Sequence, residues 1–310
     1  MLKKILFFLL ALVPATIIHA ATSQPMLILD TANQPQLPRN FRMTSDAVLP
    51  DLHMAGGAQF SELGLQQILR RLPARSVTII DLRQESHGFL NGNAISWYGV
   101  GDAANLGKTA AQVEEDQSMR LRALSRLSTA TVYEVLAKTP RGAIGQVNLR
   151  RFAVKQVMSE EELARRYQVN YFRIYVTDFH APTADQVDRF IQFTRNVSSG
   201  MWLYFHCHAG RGRTTTAMAM YDMMHHAKQD SFDNIISRQA KMGGKDLEEL
   251  PSRQQVKFAF AEARLQFLHL FYNYCRANQD NFRTTWSEWL AKSHPPVDDD
   301  QEQETDEERE

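Results

Sequence analysis

The stretch Met201 to Thr216, MWLYFHCHAGRGRTTT, narrows the folds open to this chain more than any other. Trp202, Leu203, Tyr204 and Phe205 form a continuous apolar run, as a strand buried on both faces requires. Gly210 and Gly212 interrupt it, and Thr214 then opens a helical pattern that runs to His226. A strand entering a helix through a glycine-rich turn gathers backbone N–H groups at the positive end of the helix dipole. Those groups stabilise a thiolate at Cys207 and can hold a phosphate, while Gly210 and Gly212 keep Cβ atoms out of the way. Arg213 can grip two phosphate oxygens through its planar fork. His208, Ala209 and Arg211 complete the cradle. The plain alternative is a buried structural cysteine beside an unrelated turn. The joint presence of His206, Cys207, Gly210, Arg213 and Thr214 favours the reactive one.

Phosphomonoester cleavage by a thiolate needs a nucleophile, a cation for the equatorial oxygens, and an acid for the departing alkoxide. Cys207 and Arg213 supply the first two. Asp178 follows the run YFRIYVT, expected as a strand over Tyr171 to Thr177, and is the expected acid; its competing role is to cap the helix beginning at Pro182. Thr214 can hydrogen-bond the sulfur, and His206 can orient the loop from behind or simply be a satisfied core histidine. A reactive form with Cys207 ionised and Asp178 protonated predicts a bell-shaped rate on the acidic side of neutral.

The rest of the chain alternates helical and strand-like segments. A serine-capped helix is expected over 61–72 and a buried strand over Val77 to Asp81, which together suggest a parallel sheet. The glycine- and asparagine-rich segment Asp81 to Gly99 reads as a loop over the end of that strand. Helices are expected over 109–127, 159–167, 182–196, 214–226, 232–239 and 254–276. Short strand-like runs at 131–136, 145–149 and 152–154 suggest a β-rich insertion spanning 129–170, joined by one strand from 22–40. The core would then comprise 21–128 and 171–297, with Trp286 and Trp289 docking its C-terminal segment.

Met1-Leu2-Lys3-Lys4 and the apolar run Ile5 to Ile18, followed by His19-Ala20-Ala21, read as a secretory signal over 1–20 with cleavage after Ala20. A periplasmic or secreted protein follows. Two cysteines are too few for a disulfide framework; Cys207 is expected to be free and Cys275 to lie in the core. Net charge is zero, but Asp298 to Glu310 carries nine acidic residues and one arginine, reading as a solvated, disordered tail. That leaves +8 elsewhere, or +6 without Lys3 and Lys4, favouring an anionic small-molecule partner. No feature points to nucleic acid or to stable membrane association once the signal is removed.

His206-Cys207-x-x-Gly210-x-x-Arg213-Thr214 resembles the signature of the cysteine-dependent tyrosine phosphatase superfamily. With DLRQESHGFL (81–90), SWYG (96–99), NLGKT (105–109), YFRI (171–174), Thr177-Asp178, Arg238-Gln239 and Gly243-Gly244, the chain is similar, more narrowly, to the bacterial tyrosine-phosphatase-like phytases. The resemblance implies a phosphatase core, α/β with a central mainly parallel sheet flanked by helices, and a small inserted partial β-barrel. It also implies stepwise removal of phosphates from myo-inositol hexakisphosphate through a phosphocysteine, with no metal and no organic cofactor. Basic residues would ring a wide pocket, Arg42 and Arg141 matching best and Lys245 and Lys257 less well.

The loop departs from the phytase pattern at His208 and Arg211, where basic residues resemble the phosphoinositide-phosphatase version, and at Phe179, where relatives often carry histidine. Three readings therefore stand: an inositol polyphosphate phosphatase, a secreted protein-tyrosine or phosphoinositide phosphatase, and a phosphate-binding module without catalysis. Intact Cys207, Arg213 and Asp178 argue against the last.

Overall fold

A computed structural model describes residues 25–293 except 46, 74, 75, 101, 102, 140 and 141. The expected signal (1–20) and acidic tail (298–310) lie outside the described residues, as does Arg141.

The apolar run of the cysteine stretch becomes β11 (Trp202–Cys207), the centre of a five-stranded sheet. Its order is β10 (Asn170–Arg173), β4 (Val77–Asp81), β11, β3 (Met54–Ala58), β2 (Arg42–Met43). All pairings are parallel except that of the edge strand β2 with β3. Side chains of β11 alternate between two cores, as a period of two demands. Leu203, Phe205 and Cys207 pack with Val187 and Phe190 of α4 (Ala184–Thr194), Met218 of α5 (Gly212–His226), Ile235 of α6 (Phe232–Lys241) and Phe271 of α7 (Phe258–Ala277). Trp202 and Tyr204 pack on the other face with Leu65 and Ile68 of α1 (Glu62–Arg71) and Leu163 of α3 (Glu160–Arg166). Trp286 of α8 (Trp286–Ser293) is buried against Phe267, Phe271 and Tyr274, closing the C-terminal segment onto α7.

The second sheet is open, with β8 (Ile144–Ala153) and β9 (Val157–Met158) at its edges, so it forms a partial rather than a closed barrel. Between them lie β7 (Thr129–Lys138), β1 (Met26–Thr31), β6 (Asn93–Tyr98) and β5 (His87–Leu90). One face is covered by α2 (Ala110–Ser125), whose Leu121 and Leu124 pack on Leu90, Ile95, Trp97 and Val132. Cys207 and Cys275 are both buried free thiols.

Four sequence expectations need correction. Asp81 to Gly99 is not simply a loop: β5 and β6 form a hairpin within it. Asn91 and Gly92 turn that hairpin with φ of 51° and 78°, the left-handed pair a two-residue hairpin turn uses. The strand expected from 22–40 is β1, but the β-rich part also takes in β5 and β6, so it is not made of that strand and 129–170 alone. Within that range α3 packs into the core beneath β11 instead. The strand expected over Tyr171 to Thr177 stops at Arg173, the last residue laddered with β4; beyond it Ile174 N–H donates to the Asp81 carbonyl and Gln84 N–H to the Val176 carbonyl without a regular ladder. Finally, β3 (MAGGA) had no strand signature, its two glycines hiding a fully buried strand between β11 and the edge.

Candidate active site

Cys207 ends β11, and α5 begins at Gly212 with Arg211 as an N-cap whose side chain makes no capping bond. The first-turn N–H groups of α5 thus face the loop without a side-chain partner. Gly210 takes φ +69°, and a Cβ there would fall 2.2 Å from the Gly57 carbonyl carbon. The loop can therefore approach β3 only as glycine. Gly56 of β3 meets a similar demand from below. A Cβ on Gly56 would lie 2.5 Å from Met218 Sδ and 2.8 Å from Thr214 Cγ2, so α5 sits directly on this strand.

Thr214 Oγ1 donates to Cys207 Sγ at 3.2 Å. Three buried guanidinium groups, on Arg42, Arg213 and Arg264, lie close enough to Cys207 for a thiolate to favour their charged forms. Burial works against the charge on Arg42 and brings it down to about 10, with the Cys207 charge opposing that shift. A thiolate placed here is held by a hydroxyl, a helix terminus and three cations.

Arg213 differs in one respect from the fork expected of it. Its Nη1 and Nη2 donate to both oxygens of Glu85, at 2.7 and 2.9 Å, and Nη1 also donates to the Val176 carbonyl at 3.0 Å. Asp178 Oδ1 lies 3.2 Å from Nη2. The Nη1/Nη2 edge is thus taken by Glu85, and Nε, with no hydrogen-bond partner among the described residues, marks the edge free to meet a phosphate. Burial opposes the Glu85 charge, but Arg213 and Arg83 on either side hold its carboxyl well below the usual carboxylate range. Asp178 lies beyond the end of β10 in a turn closed by the His180 N–H on the Thr177 carbonyl, not at a strand end. It does not cap α4, whose N-cap is Thr183.

Behind the loop, His206 Nε2 lies 2.6 Å from Glu160 Oε1, and His87 Nε2 lies 3.2 Å from Asp81 Oδ2 and 3.6 Å from Glu160 Oε2. Burial disfavours both charges, yet Asp81 lifts His87 to about 9 and His206 helps bring Glu160 down to about 2. Asp81, His87 and Glu160 are close enough together to ligate a metal. Both carboxylates already have other partners: Tyr171 Oη and Arg173 Nε meet Asp81 Oδ2 at 2.7 and 3.1 Å, and Gln59 Nε2 meets Glu160 Oε2 at 2.7 Å. The cluster is a buried ion-pair network that bears protons.

The outer basic residues divide. Arg42, expected at the substrate, is instead buried behind the loop. Its Nη1 donates to the Gly210 carbonyl at 2.8 Å and its Nη2 to Thr215 Oγ1 at 3.0 Å, so its reach is spent on loop shape. Ala209 is held similarly, its carbonyl accepting from Asn40 Nδ2 at 2.8 Å. His208 Nε2 lies 3.6 Å from the buried Asp30, and Arg211 is exposed. The Lys245 ammonium donates to the Asp246 and Glu249 carbonyls; burial, then Arg264 and Arg211, depress its pKa. Lys257 lies over the Phe179 ring.

Sequence reasoning missed Arg264, Glu85, Arg83 and Asp30. Arg264 is on α7, and a Cβ on Gly212 would meet its Nη1 at 3.0 Å. Arg83 joins the small sheet to the loop through Asp30 at 2.8 Å and Glu85 at 2.8 Å. The signal was an alternation of opposite charges in DLRQE, residues that reading the segment as a loop left at the surface.

Residues 80–225 match the PTP-like phytase family, described by the substrate name inositol hexakisphosphate. A PTP-like phytase from Bdellovibrio bacteriovorus superposes with a TM-score of 0.70 at 32% identity, over 87% of this chain and 95% of that one. The chain belongs to the PTP-like phytase family. Another phytase-like structure, the tandemly repeated protein from Mitsuokella multacida, has a TM-score of 0.77 at 36% identity, covering 87% of this chain and 49% of its own. The PTP-like myo-inositol phosphatase of the same organism, in complex with myo-inositol-(1,3,4,5)-tetrakisphosphate, has a TM-score of 0.76. Effector protein hopD2 of Pseudomonas syringae pv. tomato is 32% identical over 247 residues, 79% of this chain and 52% of that protein. This phytase-like chain therefore spans about half the length of that curated relative and of the Mitsuokella proteins.

Proposed function

We propose that this protein is an inositol polyphosphate phosphatase that removes phosphates stepwise from myo-inositol hexakisphosphate through a phosphocysteine. The observation that carries the reading is the thiol of Cys207 at the foot of α5, with Thr214 Oγ1 at 3.2 Å and Asp178 brought within 3.2 Å of Arg213. Cys207 Sγ attacks phosphorus and the P–O bond to the inositol breaks. Asp178 gives its proton to the leaving oxygen, and the loop N–H groups with Arg213 Nε hold the equatorial oxygens. Asp178, now a carboxylate, takes a proton from water as that water attacks the phosphocysteine, releasing phosphate and the thiolate. Arg211 and Arg264 lie near enough to Lys245 to depress its pKa after burial, and this concentration of positive charge on the loop's side suits a substrate with several phosphates. The family match and the inositol phosphate bound to the Mitsuokella relative support this class of substrate.

Export follows from Met1 to Ala20, and we place the protein in the periplasm or outside the cell. Chromatography of digests of inositol hexakisphosphate tests the substrate. Successive lower phosphates are expected, and all should vanish in Cys207→Ser. Faster turnover of a phosphotyrosine peptide than of the hexakisphosphate would replace this reading with a protein phosphatase.

A further inference from the structure

In that mechanism the leaving group lies beside Asp178, so the next residue is placed to act on it. Phe179 stands there at φ +65°, in the third position of the turn that His180 closes onto Thr177. That position ordinarily calls for glycine or asparagine, and an aromatic residue held left-handed is strained. The conformation presents both ends of the residue to α7. The Phe179 carbonyl accepts from Arg264 Nη1 at 3.4 Å, and Lys257 Nζ lies 4.3 Å from the centre of the Phe179 ring. Lys257, the N-cap of α7, and Arg264 are seven residues apart, two helical turns, and so lie on one side of the helix. Arg264 in turn abuts Gly212 of the loop and keeps Nε without a hydrogen-bond partner among the described residues; burial lowers its pKa, against the pull of Asp178 and Cys207.

We propose that Phe179 is a positioning residue: its ring holds Lys257 and its carbonyl holds Arg264 on the leaving-group side of the loop, so that the site prefers leaving groups carrying further phosphates. This rests on the phosphatase reading above. A residue with a smaller side chain at 179 would leave the Lys257 stem unsupported, and an ammonium on four rotatable carbons would spread over many positions. The ring fixes it where a second phosphate of a polyphosphorylated substrate arrives.

The test compares myo-inositol hexakisphosphate with phenyl phosphate in the full-length protein. Phe179→Leu removes the ring and keeps an apolar side chain. The ratio of the two KM values, hexakisphosphate over phenyl phosphate, should rise about 2- to 5-fold, the scale of one exposed cation–π contact. Phe179→Tyr should restore the wild-type ratio, and Lys257→Met should raise it without adding to Phe179→Leu. An unchanged ratio, equal KM shifts for both substrates, or failure of tyrosine to rescue overturns the proposal. Calorimetry of hexakisphosphate binding in a Cys207→Ser background reads the same weakening without turnover. Loss of the phosphatase reading, seen as activity surviving Cys207→Ser, is thus distinguishable from loss of this one.

Discussion

Thr214 makes a hydrogen bond that matters only when the sulfur is charged. Hydrogen bonds to charged groups contribute about 1.5–3 kcal/mol, so Thr214→Val should slow phosphate transfer roughly 10- to 100-fold in single-turnover assays while leaving the fold intact. Asp178→Asn separates the acid from the rest. It should depress turnover of inositol hexakisphosphate strongly and that of a nitrophenyl ester much less, because a nitrophenolate leaves without a proton. A uniform loss on both esters would remove Asp178 from the acid role. Glu85 is a different kind of residue, holding Arg213 and Arg83 in a buried salt bridge. Glu85→Ala takes the shared carboxylate from two buried guanidinium groups, leaving Arg83 with Asp30 and Arg213 with Asp178, and should destabilise the protein by about 3–5 kcal/mol, measured by urea unfolding. Cys207, Thr214 and Asp178 stood out residue by residue because each belongs to a short motif. Glu85 and Arg264 did not, since their partners are 128 and 85 residues distant.

Among the elements, β3 carries the site although it contributes no reactive group. Its Gly56 allows the close approach of α5, and its Gly57 leaves room for the Tyr204 hydroxyl and Pro38 on the other face. Gly56→Ala would push against Met218 and Thr214, side chains that can give way. Overpacking of that kind costs about 1–3 kcal/mol, visible as a melting temperature several degrees lower. Gly210→Ala meets backbone at 2.2 Å and must also hold a left-handed φ, so its cost should be larger and its activity lost. Equal melting temperatures for the two variants would contradict this ordering. The same glycines explain why β3 escaped sequence reasoning. A strand is ordinarily recognised by β-branched and aromatic residues, and MAGGA has none.

Across the whole molecule, a run of buried charges joins the two sheets. Asp30 of β1, Arg83, Glu85 and Arg213 form one chain of contacts; Asp81, His87, Glu160 and His206 form a second behind it. The second chain sets a pH window for stability. His87 rises from 6.5 to about 9 on folding, so its contribution is complete below about 6.5 and lost as pH climbs through about 9. Glu160 falls from 4.5 to about 2, so its contribution is complete above about 4.5 and lost as pH falls through about 2. Urea midpoints followed across pH should show a plateau between about 4.5 and 6.5 with an alkaline decline that His87→Gln flattens. A midpoint that stays constant to pH 9 in the wild type would contradict the His87 assignment.

What Met201 to Thr216 determined by itself was a local geometry: a strand, a glycine turn and a helix bring Cys207 at the end of β11 beside Arg213 and Thr214 in the first turn of α5. Helices with a cap residue and an apolar stripe, such as α1 and α3, were equally local. Only the tertiary structure decided what Arg42 and Arg213 do with their donors. A guanidinium in a sequence is a charge of unknown partner. Here Arg42 is bound to the carbonyl of Gly210 and Arg213 to Glu85. It also decided that the small sheet, assembled from three separated parts of the chain, stands behind the phosphate cradle through Asp30 and Arg83. Opposite charges buried far from one another in sequence find each other only when the chain is folded, and no periodicity records that.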